Sequence, residues 1–254
     1  MDMGNRDTIG RRILILGGTT EARELAGLLV DAGYDVITSL AGRTGTPRFP
    51  PGIVRIGGFG GREGLARYIR DNCIDMLVDA THPFAAQISI NCVAAALDAE
   101  VPLLRLERPA WQKPDGTTWV EVGTAQDAAD ALPRGARVLL TVGRQELGPF
   151  LARKGCHYTA RMIEVPAGLP DDWQVIAARG PFTLEDELRL MQDRGITHLV
   201  TKNSGGTQVA GKLAAAARLS IPIIVIRRPN LPKAEAVDSV IRAHKSVTRI
   251  FRTG

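Results

Sequence analysis

The chain has 254 residues, 44% hydrophobic and 23% charged, which suits one large domain or two of about 120 residues, each with its own core. No apolar run approaches the roughly 20 residues that span a bilayer, and the first ten residues lack a signal peptide's apolar stretch, so a cytoplasmic protein is expected. The net charge of +5 is scattered, aromatics are 5%, and Cys73, Cys92 and Cys156 stand far apart, which argues against nucleic acid, membrane, zinc or a disulfide framework.

Arg12–Leu16 (RILIL) reads as a buried parallel strand running into a tight turn at Gly17-Gly18. A helix is predicted from Thr20, with Leu25, Leu28 and Leu29 on one face and Gly33 as its stop. Asp35–Ser39 is the next strand, completing a right-handed β-α-β unit. The turn Gly17-Gly18-Thr19-Thr20-Glu21-Ala22-Arg23 is a candidate phosphate cradle, because glycines let backbone amides come close and a helix start adds positive partial charge. Thr19 and Thr20 offer hydroxyls, Thr20 also as the helix cap, and Arg23 stands one turn in. The motif is neither G-x-G-x-x-G nor a P-loop, so a turn with a plain cap is the alternative. Where an NAD site places an acid, the second strand ends in Ser39, followed by Gly42-Arg43. That leaves room and charge for the 2′-phosphate of NADPH.

Ile74–Asp79 is a further strand, Thr81-His82-Pro83 a turn, and Phe84 to Asp98 a predicted helix with Phe84, Ile88, Cys92 and Ala95 inward. His82 is a candidate ribose or nicotinamide contact or an acid, against the plainer role of a hydrogen-bonding turn residue. Asp79 is expected to orient backbone. Pro102–Leu106 is a strand ended by Arg108-Pro109.

The same pattern then runs again. Gly143 follows Gly17 by 126 residues, Ile196–Thr201 follows Ile74–Asp79 by 122, and Ile221–Pro229 follows Val101–Pro109 by 120. Helical tails from Thr124 and Ser239 close the halves. Two copies are too few for a solenoid. The expected fold is therefore α/β: two similar Rossmann-like lobes with parallel sheets, residues 11–120 binding cofactor and 121–254 binding substrate, facing a central cleft. Ligands of such sheets sit beyond the carboxyl ends of the strands. Those ends carry Gly17-Gly18, Thr81-His82, Gly143-Arg144 and Lys202-Asn203-Ser204. Thr201–Gly206 is a second candidate anion-binding turn, against a plain loop with one solvated lysine. No tyrosine has a lysine four residues on, and H-E-x-x-H and G-x-S-x-G are absent.

Gly17–Arg23 (GGTTEAR), Thr81–Ala85 (THPFA), Arg105–Trp111 (RLERPAW) and Thr201–Gly206 (TKNSGG) together resemble the precorrin-6A reductase family of cobalamin biosynthesis. The likeness spans roughly residues 11 to 250. It implies an NADP-dependent oxidoreductase that reduces one double bond of the tetrapyrrole precorrin-6A to give precorrin-6B, by hydride transfer from NADPH. With the turn and strand-end readings above, Gly17, Gly18, Thr19, Thr20, Arg23, Ser39, Arg43, Thr81 and His82 are expected to hold the cofactor. Arg105, Arg108, Lys202, Asn203, Ser204 and Gly205 hold the carboxylate-rich macrocycle. His82 and Lys202 are the candidates for catalysis, and no metal is expected. No residue stands out as proton donor, so the proton is expected from water or the substrate. A monomer is compatible with the sequence. Two rivals stand beside this reading: another NADPH-dependent reductase on the same scaffold, and a small-molecule sensor.

Overall fold

The computed structural model describes residues 10–42, 49–207 and 209–252. The first repeat runs β1 (Arg12–Leu16), α1 (Thr20–Asp31), β2 (Asp35–Leu40), β3 (Ile53–Ile56), α2 (Gly61–Asp71), β4 (Met76–Asp79), α3 (Ala86–Asp98), β5 (Leu103–Leu106), β6 (Trp119–Val122) and α4 (Ala125–Asp130). The second runs β7 (Arg137–Thr141), α5 (Gly148–Ala152), β8 (His157–Met162), β9 (Gln174–Ala177), α6 (Leu184–Asp193), β10 (His198–Lys202), α7 (Gly211–Arg218), β11 (Ile223–Ile226), β12 (Glu235–Val237) and α8 (Val240–Arg252).

These strands form two six-stranded parallel sheets, ordered β12-β5-β4-β1-β2-β3 and β6-β11-β10-β7-β8-β9. The α/β fold with two similar Rossmann-like sheets is as the repeats predict. The division of the chain is not. One compact unit runs to Arg108 and resumes at Asn230, and the other is Pro109–Pro229, rather than 11–120 and 121–254. Each repeat's sixth strand has joined the other repeat's sheet: β12 pairs with β5, and β6 with β11. The physical reason is that parallel pairing is made by backbone groups, which do not distinguish which repeat supplies the edge strand. The chain crosses at Arg108-Pro109 and at Pro229-Asn230, where proline ends a run of ladder bonds.

In the first unit, alternate residues of β1 enter opposite layers, as a doubly wound sheet requires. Ile13 and Ile15 meet Leu25 and Leu29 of α1 together with Ala243 and Val247 of α8. Leu14 and Leu16 meet Leu65, Ile69 and Cys92. Each fully buried aliphatic side chain contributes about 1.5–3 kcal/mol. Helix α1 buries Ala22, Leu25, Ala26 and Leu29, with Leu28 only half-buried, and Gly33 takes the left-handed φ of +89° that ends it. Helix α3 starts at Ala86, not Phe84.

Strand order reverses between β1 and β4 in the first sheet and between β7 and β10 in the second. That is where doubly wound sheets take ligands. Gly17–Thr19 and Thr81-His82 lie at the first reversal, and Gly143 and Lys202–Ser204 at the second. No helix among the described residues is long and apolar enough to cross a membrane.

Candidate functional site

The first unit's turn is built tightly on its inner side and open on its outer side. Gly17 N–H donates to Ser39 O at 3.0 Å, and a Cβ on Gly17 would sit 3.0 Å from Thr38 Cγ2. Gly18 has φ of +114°, and a Cβ there would meet nothing within 4 Å. The backbone is therefore bare on the side away from the sheet, which fits a phosphate approaching the amides. Thr19, rather than Thr20, caps α1: its Oγ1 accepts from Ala22 N at 3.1 Å and donates to Ala80 O at 2.8 Å. The second bond ties the turn to the end of β4. Thr20 and Arg23 lie in the first turn of α1.

Beside it, Asp79 organises the Thr81-His82 turn. Thr81 Oγ1 donates to Asp79 Oδ1 at 2.7 Å, and Arg105 Nε donates to Asp79 Oδ2 at 3.2 Å. Arg105 also donates to Pro232 O at 3.0 Å, is only 7% exposed, and keeps Nη2 buried without a partner. Expected at the macrocycle, Arg105 is instead turned into its own unit as the partner of Asp79. Its buried guanidinium would be costly without that carboxylate. Arg108 donates to both Glu21 oxygens, at 3.0 and 3.2 Å, so it too is engaged, beside the α1 N-terminus. His82 Nδ1 accepts from Phe84 N at 3.2 Å, which leaves Nε2 to carry the proton of the neutral ring. Two shallow hollows adjoin these residues: Thr19, Glu21 and Arg108 line one, His82 and Arg105 the other, and Thr81 and Pro83 both.

Ser39 is buried at the carboxyl end of β2, and its Oγ accepts from Arg55 Nη1 at 3.2 Å. Arg43 lies outside the described residues. Arg55 was missed by sequence reasoning because β3 carries no alternating pattern long enough to be recognised; its signal was an arginine next to the glycine run Gly57-Gly58.

In the second unit, Lys202 Nζ donates to Glu146 Oε1 at 2.9 Å, while Glu146 Oε2 is buried without a partner. Asn203 clamps the backbone of Trp111, accepting from its N–H at 2.7 Å and donating to its carbonyl at 3.1 Å. Trp111 Nε1 donates to Gly206 O at 2.7 Å, and the buried Lys212 ammonium lies 4.8 Å from its ring centre. Gly205 has φ of +68°, and a Cβ would fall 2.1 Å from Pro109 O. Asn203 and Gly205, expected at the macrocycle, thus hold Pro109–Trp111 in place; Ser204 Oγ donates to Lys202 O at 3.3 Å. Three of the four sequence motifs meet through the segment Arg105–Trp111, by Arg108 with Glu21 and Trp111 with Asn203. Among the described residues, no three of His, Cys, Asp and Glu gather as metal ligands would.

The family model described as Precorrin-6x reductase CbiJ/CobK matches residues 12–247. The chain belongs to the precorrin-6x reductase family. It is 49% identical over 236 residues to a precorrin-6A reductase of Rhodococcus erythropolis, covering 91% of this chain and 95% of the relative. It is 46% identical over 225 residues to one of Rhodobacter capsulatus, covering 87% and 89%. A solved structure named CobK precorrin-6A reductase superposes with a TM-score of 0.89 at 41% identity, covering 94% of this chain and 96% of that one. Membership of the precorrin-6x reductase family makes the chain an oxidoreductase of cobalamin biosynthesis.

Proposed function

We propose that the protein reduces precorrin-6A to precorrin-6B with NADPH held at the carboxyl edge of the first sheet, in the cytoplasm. The observation that carries the cofactor reading is the pairing of Gly18's open, left-handed backbone at the start of α1 with Ser39 at the end of β2. An NAD-preferring site has an acid at that second place. Gly17, Gly18 and Thr19 would hold the pyrophosphate, and Thr81 and His82 the nicotinamide ribose. When bound, the nicotinamide supplies the hydride.

The second unit supports a different duty. Its equivalent turn is filled, since a Cβ on Gly143 would fall 2.9 Å from Glu146 Oε2. At the end of β8, Arg161 is spent on the fully buried Glu187, with bonds of 2.7 and 3.0 Å. Neither position is open to a dinucleotide. Lys202, paired with Glu146, stands at the second unit's strand reversal and would meet a macrocycle carboxylate as a point charge.

The test is absorbance at the nicotinamide band after adding precorrin-6A to the protein with NADPH or with NADH. Consumption of NADPH that depends on the macrocycle supports the proposal. Binding without consumption would make the protein a sensor, and consumption with NADH alone would overturn the cofactor.

A further inference from the structure

We propose that Arg55 reads the 2′-phosphate of the dinucleotide, with Ser39 as its hydroxyl partner. This rests on the reading that the first unit holds NADPH. The register of the sheet places Leu16 beside Ser39 and Ser39 beside Arg55. Adjacent strands lie about 4.8 Å apart, so Arg55 sits two strands from the Gly17-Gly18 turn, on the side where the adenosine half of a dinucleotide extends from a pyrophosphate at β1.

The charge environment sets this arginine apart from Arg105, Arg108 and Arg161. Arg105, Arg108 and Arg161 each face a carboxylate. Among the described residues Arg55 donates to neutral oxygens: Gly57 O at 2.5 Å, Gly58 O at 2.6 Å and Ser39 Oγ at 3.2 Å. Three of a guanidinium's five N–H groups are so engaged, leaving donors for an anion. Ser39 Oγ accepts from Arg55, so its own hydroxyl proton is not used in that bond. The guanidinium is braced face-on, 3.9 Å from the ring centre of Phe59 and 5.2 Å from that of Tyr68, and Arg55 is half-exposed. A braced, solvent-reachable fork whose partners among the described residues are neutral oxygens is the geometry a phosphate dianion needs.

The experiment is equilibrium titration of NADPH, NADH, 2′-AMP and 5′-AMP against wild type, Arg55→Gln, Arg55→Lys and Ser39→Asp, with melting temperatures as a fold control. Loss of a charge-assisted contact weakens binding by about 10- to 100-fold. Arg55→Gln should lose that much for NADPH and 2′-AMP while NADH and 5′-AMP stay within about twofold, a spread set by additivity between separate contacts. Arg55→Lys should fall between, and Ser39→Asp should reverse the preference toward NADH. Equal weakening of NADPH and NADH in Arg55→Gln would mean that Arg55 only shapes the Gly57-Gly58 turn and overturns the assignment. So would unchanged NADPH binding in that variant. A wild-type protein that binds NADPH and NADH equally would overturn the cofactor reading itself, a result visible before any variant is made.

Discussion

Arg108 Nη1 lies 3.0 and 3.2 Å from the two oxygens of Glu21, so one nitrogen covers the carboxylate that opens α1. Glu21 suits a helix start, but beside an incoming phosphate an unpaired carboxylate repels it. Arg108→Ala is expected to weaken NADPH by about 5- to 30-fold, the factor that 1–2 kcal/mol represents. Adding Glu21→Gln should restore most of that loss. NADPH titration of the two single variants and the double variant closes the cycle. Strict additivity would show that the pair does not act together.

Gly18 is the position in the turn where a side chain meets strain before it meets atoms. At φ of +114° with nothing within 4 Å, a β-branched residue costs on the order of 1–3 kcal/mol in backbone strain and covers the amides. Gly18→Val should lower the melting temperature and remove measurable NADPH binding. A variant that melts lower yet binds NADPH as wild type does would take this turn out of the cofactor site.

Asp79 and Arg105 test the frame beneath the site. Both are buried, and Arg105 donates to the Asp79 carboxylate and to the Pro232 carbonyl. Asp79→Ala is expected to destabilise the first unit by about 3–5 kcal/mol, and Asp79→Leu with Arg105→Met much less, because the second change removes the stranded charge. Denaturant unfolding of the two variants measures the gap. Equal destabilisation would mean that packing, not charge, dominates there.

Lys202→Ala should raise KM for precorrin-6A with little change in kcat, as expected for an interaction made equally in ground and transition states. NADPH affinity should not move. Because the substitution strands Glu146, whose Oε2 already lacks a partner, Glu146→Gln in the same background controls for the unpaired carboxylate. Lost NADPH binding with macrocycle affinity intact would reverse the duties of the two units.

His198, at the start of β10, has its pKa lowered by burial. The unfolded chain therefore binds a proton more readily than the folded one around the usual histidine pKa near 6.5. The associated stability is present above that pH and is lost as pH falls toward the lower folded value. His198→Gln should flatten the decline in melting temperature between about pH 6.5 and 5. Parallel curves for the two proteins would show that other groups carry it.

The alternation of apolar strands with amphipathic helices, and their recurrence some 120 residues later, by themselves determined the two parallel sheets. Residues 13–16, 76–78 and 138–140 are uninterrupted apolar runs with no polar face to misplace, so their strand character is local. The motifs were legible for the same reason, since GGTTEAR and THPFA are turns dictated by neighbouring residues. Three things were decided only by tertiary structure. Which sheet receives β6 and β12 depends on backbone pairing, which leaves no imprint on side-chain pattern. Which arginines stand beside carboxylates depends on contacts as distant as Arg108 with Glu21 and Arg161 with Glu187. The placing of Arg55 beside Ser39 follows from strand register, a relation between two segments that neither carries alone.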